Sequence, residues 1–489
     1  MAPVIFWFRR DLRITDHLGL ATALATGEQV LPVYVVDPAM NPGGDVPATR
    51  TVLWRALQAL DATLQAHGSR LICRRGDATV IIPALVRTIG AAAVYATRKQ
   101  GALFAARDEK VAAALAMLGV AWHMIEDDTL APFAALHKES GGYYSVFTPF
   151  SKQLLAYLKE HEPARVVVPS QRLRLAEELR ALPGTVAEAF GEEGPEADRR
   201  LPSFAVSTAA AETRLAQFTG VGAATSPDPA PLLRYHQQRD LPGIDGTARL
   251  SPHLAWGTLS IRAAYLAALA AARAADAEGR EGCRVWVNEL AWREFYHHIL
   301  FHAPYAETEA YQRPFAAMTW EGDEADFDRW CAGQTGYPIV DAGMRQLNQT
   351  GWLHNRVRMI VASFLTKDLL LDWQMGERYF MQRLIDLDLA SNNGGWQWSA
   401  STGTDASPYF RIFNPTTQGE RYDPDGAYVR QWVPELARVP TTALHAPWKL
   451  SSAERQALCP NYPPPLVDHA ERRPRAIAMY DRARGKAHP

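Results

Sequence analysis

The 489-residue chain carries 51 Lys and Arg against 53 Asp and Glu, and its formal net charge of −2 excludes a uniformly basic, nucleic-acid-coating protein while leaving room for a local basic face. A 47% hydrophobic and 21% charged composition is that of a soluble globular protein, and the length predicts two or three domains. No apolar run approaches the roughly 18 residues of a membrane span, and Cys73, Cys283, Cys331 and Cys459 lack the paired spacing of a zinc site, an iron–sulfur site or a disulfide framework.

The apolar start (residues 4–8) precedes Arg9 and Arg10, the reverse of a signal peptide's order, so a cytoplasmic, metal-free protein is expected. Residues 4–8, 30–36, 71–73, 92–95 and 120–125 read as buried strands. Between them run helix-like stretches such as 51–66 and 102–118. That alternation predicts an α/β N-terminal domain: a Rossmann-like parallel sheet wound on both sides. After the first strand the chain reads Arg9-Arg10-Asp11-Leu12-Arg13 with no glycine fingerprint, which disfavours a nicotinamide site. Residues 131–212 read as an interdomain connector, part ordered and part solvated, with a glycine-, proline- and acid-rich stretch over 184–200. From 213 to 489 the periodicity is helical almost throughout, predicting a large all-α C-terminal domain. Ten of the fourteen tryptophans fall between 286 and 448, so this domain is also the place to look for aromatic chemistry.

Three segments there carry candidate chemistry. In residues 286–296, Glu289, Arg293 and Tyr296 share one helical face beside Trp286 and Trp292, which suits a planar hydrogen-bonding ligand; an i,i+4 ion pair beside buried aromatics is the plainer alternative. In residues 351–359, Asn355, Arg358 and Met359 share a face while Arg356 points elsewhere, and His354 reads as structural. Asp386 and Asp388 sit in an otherwise apolar run, costly if buried and unpaired. They precede Ser391-Asn392-Asn393-Gly394-Gly395-Trp396-Gln397-Trp398. The glycine pair permits a tight turn or a close approach of backbone to a ligand, and the two tryptophans point to opposite sides, one inward and one toward a cleft.

With Tyr235 to Arg239, residues 246–252 and 408–415, these motifs resemble the photolyase/cryptochrome family over nearly the whole chain. More narrowly, they resemble the bacterial class I cyclobutane pyrimidine dimer photolyases. The resemblance implies FAD, active in its reduced form, held by Tyr235, Thr247, Ala248, Arg249, Leu250, Ser251, Trp286, Glu289, Arg293, Arg358, Asp386, Asp388 and Asn392. Asn392 would face the redox-active ring nitrogen, and Trp396, Trp373 and Trp320 would relay electrons from the surface. It implies as partner UV-damaged DNA with a flipped-out pyrimidine dimer between Trp292 and Trp398. Glu289 would hydrogen-bond a thymine carbonyl, Asn355 and Met359 would contact the bases, and Arg239, Arg356 and Arg411 would contact phosphates. Glu289 and Asn392 are thus the implied catalytic groups. The implied reaction is light-dependent dimer repair by electron transfer from excited reduced FAD, by a monomer without membrane attachment.

Relatives that repair (6-4) photoproducts carry histidines at the places of Asn355 and Met359, and plant and insect cryptochromes typically replace the residue at Asn392. Both rivals, a (6-4) photolyase and a blue-light photoreceptor, are therefore disfavoured. Two departures stand out. Leu387 occupies a place where the family often has glycine, and residues 103–107 lack the glutamate with which folate-binding relatives hold their pterin. A deazaflavin, another flavin or no antenna chromophore remains open.

Overall fold

The computed structural model describes residues 2–40, 46–191, 204–223 and 229–485. Five short apolar segments form one parallel sheet: β1 (Val4–Phe8), β2 (Val30–Val36), β3 (Ile72–Arg75), β4 (Ala93–Thr97) and β5 (Ala121–Ile125), in the order β3-β2-β1-β4-β5. Val4 pairs with Val30 on one side and with Ala93 on the other, so β1 is the centre of the sheet and is buried at every position. A strand covered on both faces needs an unbroken apolar run, and that is what residues 4–8 and 30–36 supply. Helices α1 (Leu18–Ala25), α2 (Pro47–Ala66), α3 (Ala78–Ile89) and α4 (Ala102–Met117) alternate with the strands. Asp77 caps α3 by accepting from the Thr79 amide, and Gly90 ends it in a left-handed conformation.

The arginine-rich segment after β1 is structural. His17, fully buried, lies between two carboxylates, with Nε2 3.2 Å from Asp11 and Nδ1 3.3 Å from Asp127. Arg13 reaches Asp127 at 3.0 Å, and Arg262 binds Asp16 at 3.0 Å and Asp127 at 2.7 Å. Burial opposes the charges on Asp11, His17, Asp127 and Arg262, but their partners outweigh it. The contact with His17 holds the Asp11 carboxyl down at about 2, and the two carboxylates raise the His17 imidazole. Gly257 completes the packing: a Cβ there would lie 2.3 Å from the Arg10 carbonyl oxygen, so only glycine lets the two backbones meet.

The chain divides into two compact units that do not follow chain order. The first comprises residues 1–234, 248–304 and 385–390, and the second 235–247, 305–384 and 391–489. Besides the sheet, the first holds helix α5 (Phe147–Glu160) and the 26-residue helix Ala277–His302. The second is helical, and its core gathers Trp330, Trp373 and Trp396 with Leu365, Phe380 and Tyr428. Among the described residues every strand lies before residue 126, as the periodicity predicts. The 131–191 segment is more regular than a connector, since it carries α5 and short helices at Glu177–Arg180 and Val186–Phe190. Residues 192–200 of the acid-rich stretch lie outside the described residues. No helix of the described residues is long and apolar enough to cross a membrane.

Candidate functional site

In the first unit the helix Ala277–His302 carries Trp286, Glu289, Trp292 and Arg293 on consecutive turns, as the 3.6-residue spacing predicts. Trp286 is buried against Phe218, ring centroids 5.3 Å apart. Trp292 is half-buried, and one of its faces is stacked on Phe147 of α5 at 3.7 Å and 4°. Phe295 and Tyr296 flank the indole as well, with ring centroids 5.8 and 5.6 Å away. Phe147 lies some 145 residues upstream in a stretch with no periodic signal of function, so sequence reasoning missed it.

Arg293 is held in an ionic network that sequence reasoning also missed. It donates to the Asp128 carbonyl at 2.7 Å and to Asp128 Oδ1 at 2.9 Å, with Asp388 Oδ2 3.9 Å away. Lys99 binds the other Asp128 oxygen at 2.6 Å, and His297 Nε2 lies 2.9 Å from Asp388. Burial opposes the Arg293 charge, but Asp128 and Asp388 raise its pKa, so the guanidinium is permanently charged. Its Nε is buried with no hydrogen-bond partner among the described residues. An unmet buried N–H costs about 1–3 kcal/mol, which an acceptor on a bound ligand would offset. Asp386 is buried nearby in sequence, while Leu387, at the position where glycine was expected, is buried and accepts from Arg10 through its carbonyl. The neighbouring Glu294 is pushed up to about 8 by burial, against the pull of Arg293, and accepts from the Leu130 amide at 2.7 Å. Ala248 and Leu250 are buried, whereas Arg249 and Ser251 are exposed. Arg249 adopts a left-handed φ of 50°, and Arg214 fixes the loop by donating to the Ala248 carbonyl at 2.9 Å.

In the second unit the motif at 391–398 lies inside the helix Leu389–Ser399. The tight turn that Gly394-Gly395 allows is not made; the helix runs through both glycines because buried neighbours at 392, 393, 396 and 397 hold it. A Cβ on Gly395 would meet nothing within 4 Å, so protein packing does not require glycine there and open space adjoins it. Asn392 is buried and its Nδ2 donates to the Glu377 carbonyl at 3.2 Å. Asn393 donates to Glu377 Oε1 at 2.9 Å, and burial pushes Glu377 up to about 7 although Asn393 partly offsets it. Trp396 is buried and Trp398 half-buried, the inward and outward pair expected. Trp396 lies so close over the helix Trp373–Arg383 that a Cβ on Gly376 would fall 2.1 Å from its ring. Trp373 belongs to the same core, with Trp320 packed partly exposed at its margin.

The helix Asn355–Ser363 brings Asn355 and Met359 together, Nδ2 to Sδ 4.0 Å, with Asn355 exposed. His354 is structural as expected, capping this helix by accepting from the Arg356 amide at 3.2 Å. Arg358 donates to the Leu353 carbonyl at 2.8 Å. Arg356 and Arg239 converge on Asp240, at 2.9 and 3.9 Å, with Arg239 over the ring of the buried Tyr235. Thr247 closes this stretch half-buried, and Arg411 is exposed beside the exposed Phe410.

A further opening lies in the first unit at the carboxyl ends of β1 and β2, beside the topological switch point where strand order reverses around β1. It encloses about 820 Å³ including its mouth, with Tyr34, Phe104 and Trp256 as aromatic walls and Arg10, Arg50 and Arg107 as cations. That lining suits a planar chromophore bearing negative charge.

Residues 286–482 match the FAD-binding domain of DNA photolyase, and residues 4–169 match the DNA photolyase domain. The chain is 42% identical to the deoxyribodipyrimidine photo-lyase of Halobacterium salinarum, over 98% of this chain and 99% of the relative. It is similar to a class III photolyase from Agrobacterium tumefaciens, with a TM-score of 0.87 and 36% identity over 99% of this chain and 98% of that one. An archaeal photolyase from Sulfolobus tokodaii, described with two FAD molecules and a novel light-harvesting cofactor, matches with a TM-score of 0.76 and 31% identity over 98% of this chain and all of that one.

Proposed function

The chain belongs to the photolyase/cryptochrome family, and from that premise we propose that it repairs cyclobutane pyrimidine dimers in DNA by light-driven electron transfer. The observation that carries the reading is one helix, Leu389–Ser399. It holds a buried amide whose nitrogen is fixed by the Glu377 carbonyl (Asn392), a tryptophan inside the tryptophan-rich core (Trp396) and a tryptophan half in solvent (Trp398).

The chemistry supplied by bound reduced FAD is a light-driven one-electron transfer that opens the cyclobutane ring and takes the electron back. The residues that fit this cofactor are Tyr235, Thr247, Ala248, Arg249, Leu250, Ser251 and Arg358, together with Trp286, Glu289, Arg293, Asp386, Asp388 and Asn392. Arg293 suits the role because its Nε is buried and unmet, and because Asp128 and Asp388 fix the rest of its guanidinium. Asn392, set against the redox-active ring nitrogen, can accept from the N–H that this nitrogen gains when the flavin is reduced and lacks when it is oxidised. Trp320, Trp373 and Trp396 relay electrons inward from the surface. Trp292, backed by Phe147, and Trp398 are the aromatic groups suited to stack on the bases of the flipped dimer. Glu289, as the carboxylic acid, donates to a thymine carbonyl, while Asn355 and Met359 contact the bases. Arg239, Arg356 and Arg411 bind phosphates.

The choice of the cyclobutane lesion rests on Asn355 and Met359, which stand where (6-4) enzymes carry histidine. The class I assignment rests on the sequence motifs alone. The opening beside β1 would take a second, light-harvesting chromophore of flavin or deazaflavin type, its negative tail met by Arg10, Arg50 and Arg107.

The test is irradiation of the reduced holoprotein with oligonucleotides bearing either a thymine dimer or a (6-4) photoproduct, with a dark control. Repair of the thymine dimer alone, and only in light, is expected. Turnover in the dark, or of the (6-4) lesion alone, would overturn the reading.

A further inference from the structure

Lys367 is a buried amine that the reading above does not use. It is 1% exposed and lies in the π-helical segment Phe364–Asp368, which directly continues the helix Asn355–Ser363. Wider helical turns of this kind open the backbone ladder and are often kept where a side chain must be aimed. Here the side chain is aimed at a loop. The Nζ donates to Ser401 Oγ at 2.9 Å and to the Arg411 carbonyl at 3.5 Å. A single ammonium thus closes both ends of the segment 401–411, which leaves the helix of Trp398 and ends in exposed Phe410 and Arg411.

The loop has little regular structure of its own. Ser401 and Asp405 adopt left-handed φ values of 62° and 44°, which side-chain-bearing residues adopt only under external constraint. The turn after the helix is held by Thr402 and Gly403 amides donating to the Gln397 carbonyl, both at 3.0 Å, and by the Ser407 amide donating to the Trp398 carbonyl at 3.3 Å. Tyr480 reaches the Ala400 carbonyl from the helix His469–Ala483. None of these contacts joins the far end of the loop to the helix that carries Asn355 and Met359. Lys367 does, because the same segment anchors it to that helix. Burial pushes its pKa down to about 7, with Asp368 only partly opposing, so placing an amine here is costly and calls for a compensating role.

We propose that Lys367 is a positioning residue for damaged DNA: by tying Ser401 and the Arg411 carbonyl to the continuation of the Asn355–Ser363 helix, it sets Phe410 and Arg411 in register with Asn355 and Met359. The proposal rests on the DNA-binding reading above and deepens it. It assigns Lys367 no contact with DNA or cofactor, so its loss acts on affinity and not on the chemical step.

The experiment compares Lys367→Met, Ser401→Ala and the double variant as FAD-loaded full chains. Loss of a hydrogen bond from a charged donor corresponds to about tenfold in a dissociation constant. Lys367→Met is therefore expected to bind a thymine-dimer duplex about tenfold more weakly, with FAD content, flavin spectrum and repair rate at saturating DNA unchanged. Ser401→Ala is expected to weaken binding about threefold, and the double variant should be no weaker than Lys367→Met, since both changes remove the same tie. Wild-type affinity in Lys367→Met, additive losses in the double variant, or a parallel fall in FAD content would each overturn the proposal. If Lys367→Met does not fold, Ser401→Ala decides: unchanged affinity overturns it. Failure of the wild-type chain to bind the thymine-dimer duplex would instead overturn the DNA-repair reading beneath it.

Discussion

Two motifs dominate the chain, and their polar groups are spent in opposite ways. The charged run after β1 turns inward: Asp11, Arg13, Asp16 and His17 meet Asp127 and Arg262 in a buried network in which each of the six side chains has a charged partner. The amide and tryptophan run in the helix Leu389–Ser399 is divided instead. Asn392 Nδ2 and Trp396 are committed to the protein, while Trp398 is half in solvent. The difference teaches that density of charge alone does not mark a site in this chain, since the charges of the first run are paired with one another.

If the first network is structural, breaking it should cost stability and little else. Asp127→Ala leaves Arg13, Arg262 and His17 facing a vacated partner, and uncompensated buried charge is worth about 3–5 kcal/mol. Chemical denaturation should register a loss of that order. A variant as stable as the parent would show that the network is idle.

The same network predicts an acid limit. Asp11 is held at about 2 in the folded chain against its usual 3.8, so its contribution is present above pH 3.8 and is lost as the pH falls toward 2. The shift corresponds to about 2 kcal/mol. Denaturation measured at pH 5 and pH 3 should show the fall, and Asp11→Asn should flatten it.

The second motif should respond in the opposite sense. Trp398→Ala is expected to weaken binding of a thymine-dimer duplex by about 1–3 kcal/mol, the usual worth of one base–aromatic stack, with FAD content and stability nearly unchanged. Equal loss of FAD and of DNA affinity would make Trp398 structural and dissolve the contrast. The smallest effect is expected at Phe147→Leu, which removes the ring behind Trp292. Loss of that stack, about 0.5–1.5 kcal/mol, should appear as a several-fold weaker dimer affinity, measurable by titration against undamaged duplex as control.

Much of the fold was legible because parallel strands buried along their length, as β1, β2 and β4 are, must be almost wholly apolar; β5, also expected to be buried, is an edge strand exposed or half-buried along its length. The five strands fall within two residues of the periodic runs, and the helix holding Glu289 and Arg293 follows from their four-residue spacing. What escaped is what sequence distance hides. Asp128 and Arg293 lie 165 residues apart and Arg9 and Asp108 lie 99 apart, so neither partner announces the other. Phe147 behind Trp292 and Lys367 behind Ser401 escaped for the same reason. The helical course of Gly394-Gly395 was misjudged because glycine's weak helix propensity yields to burial of the residues on either side.

The most direct measurement of the central claim is survival of UV-irradiated, repair-deficient bacteria expressing this chain, with and without subsequent blue light. The account predicts rescue in the light and none in the dark, with thymine dimers disappearing from the DNA in step with survival. Rescue that ignores light, or light that leaves the dimers in place, would contradict it.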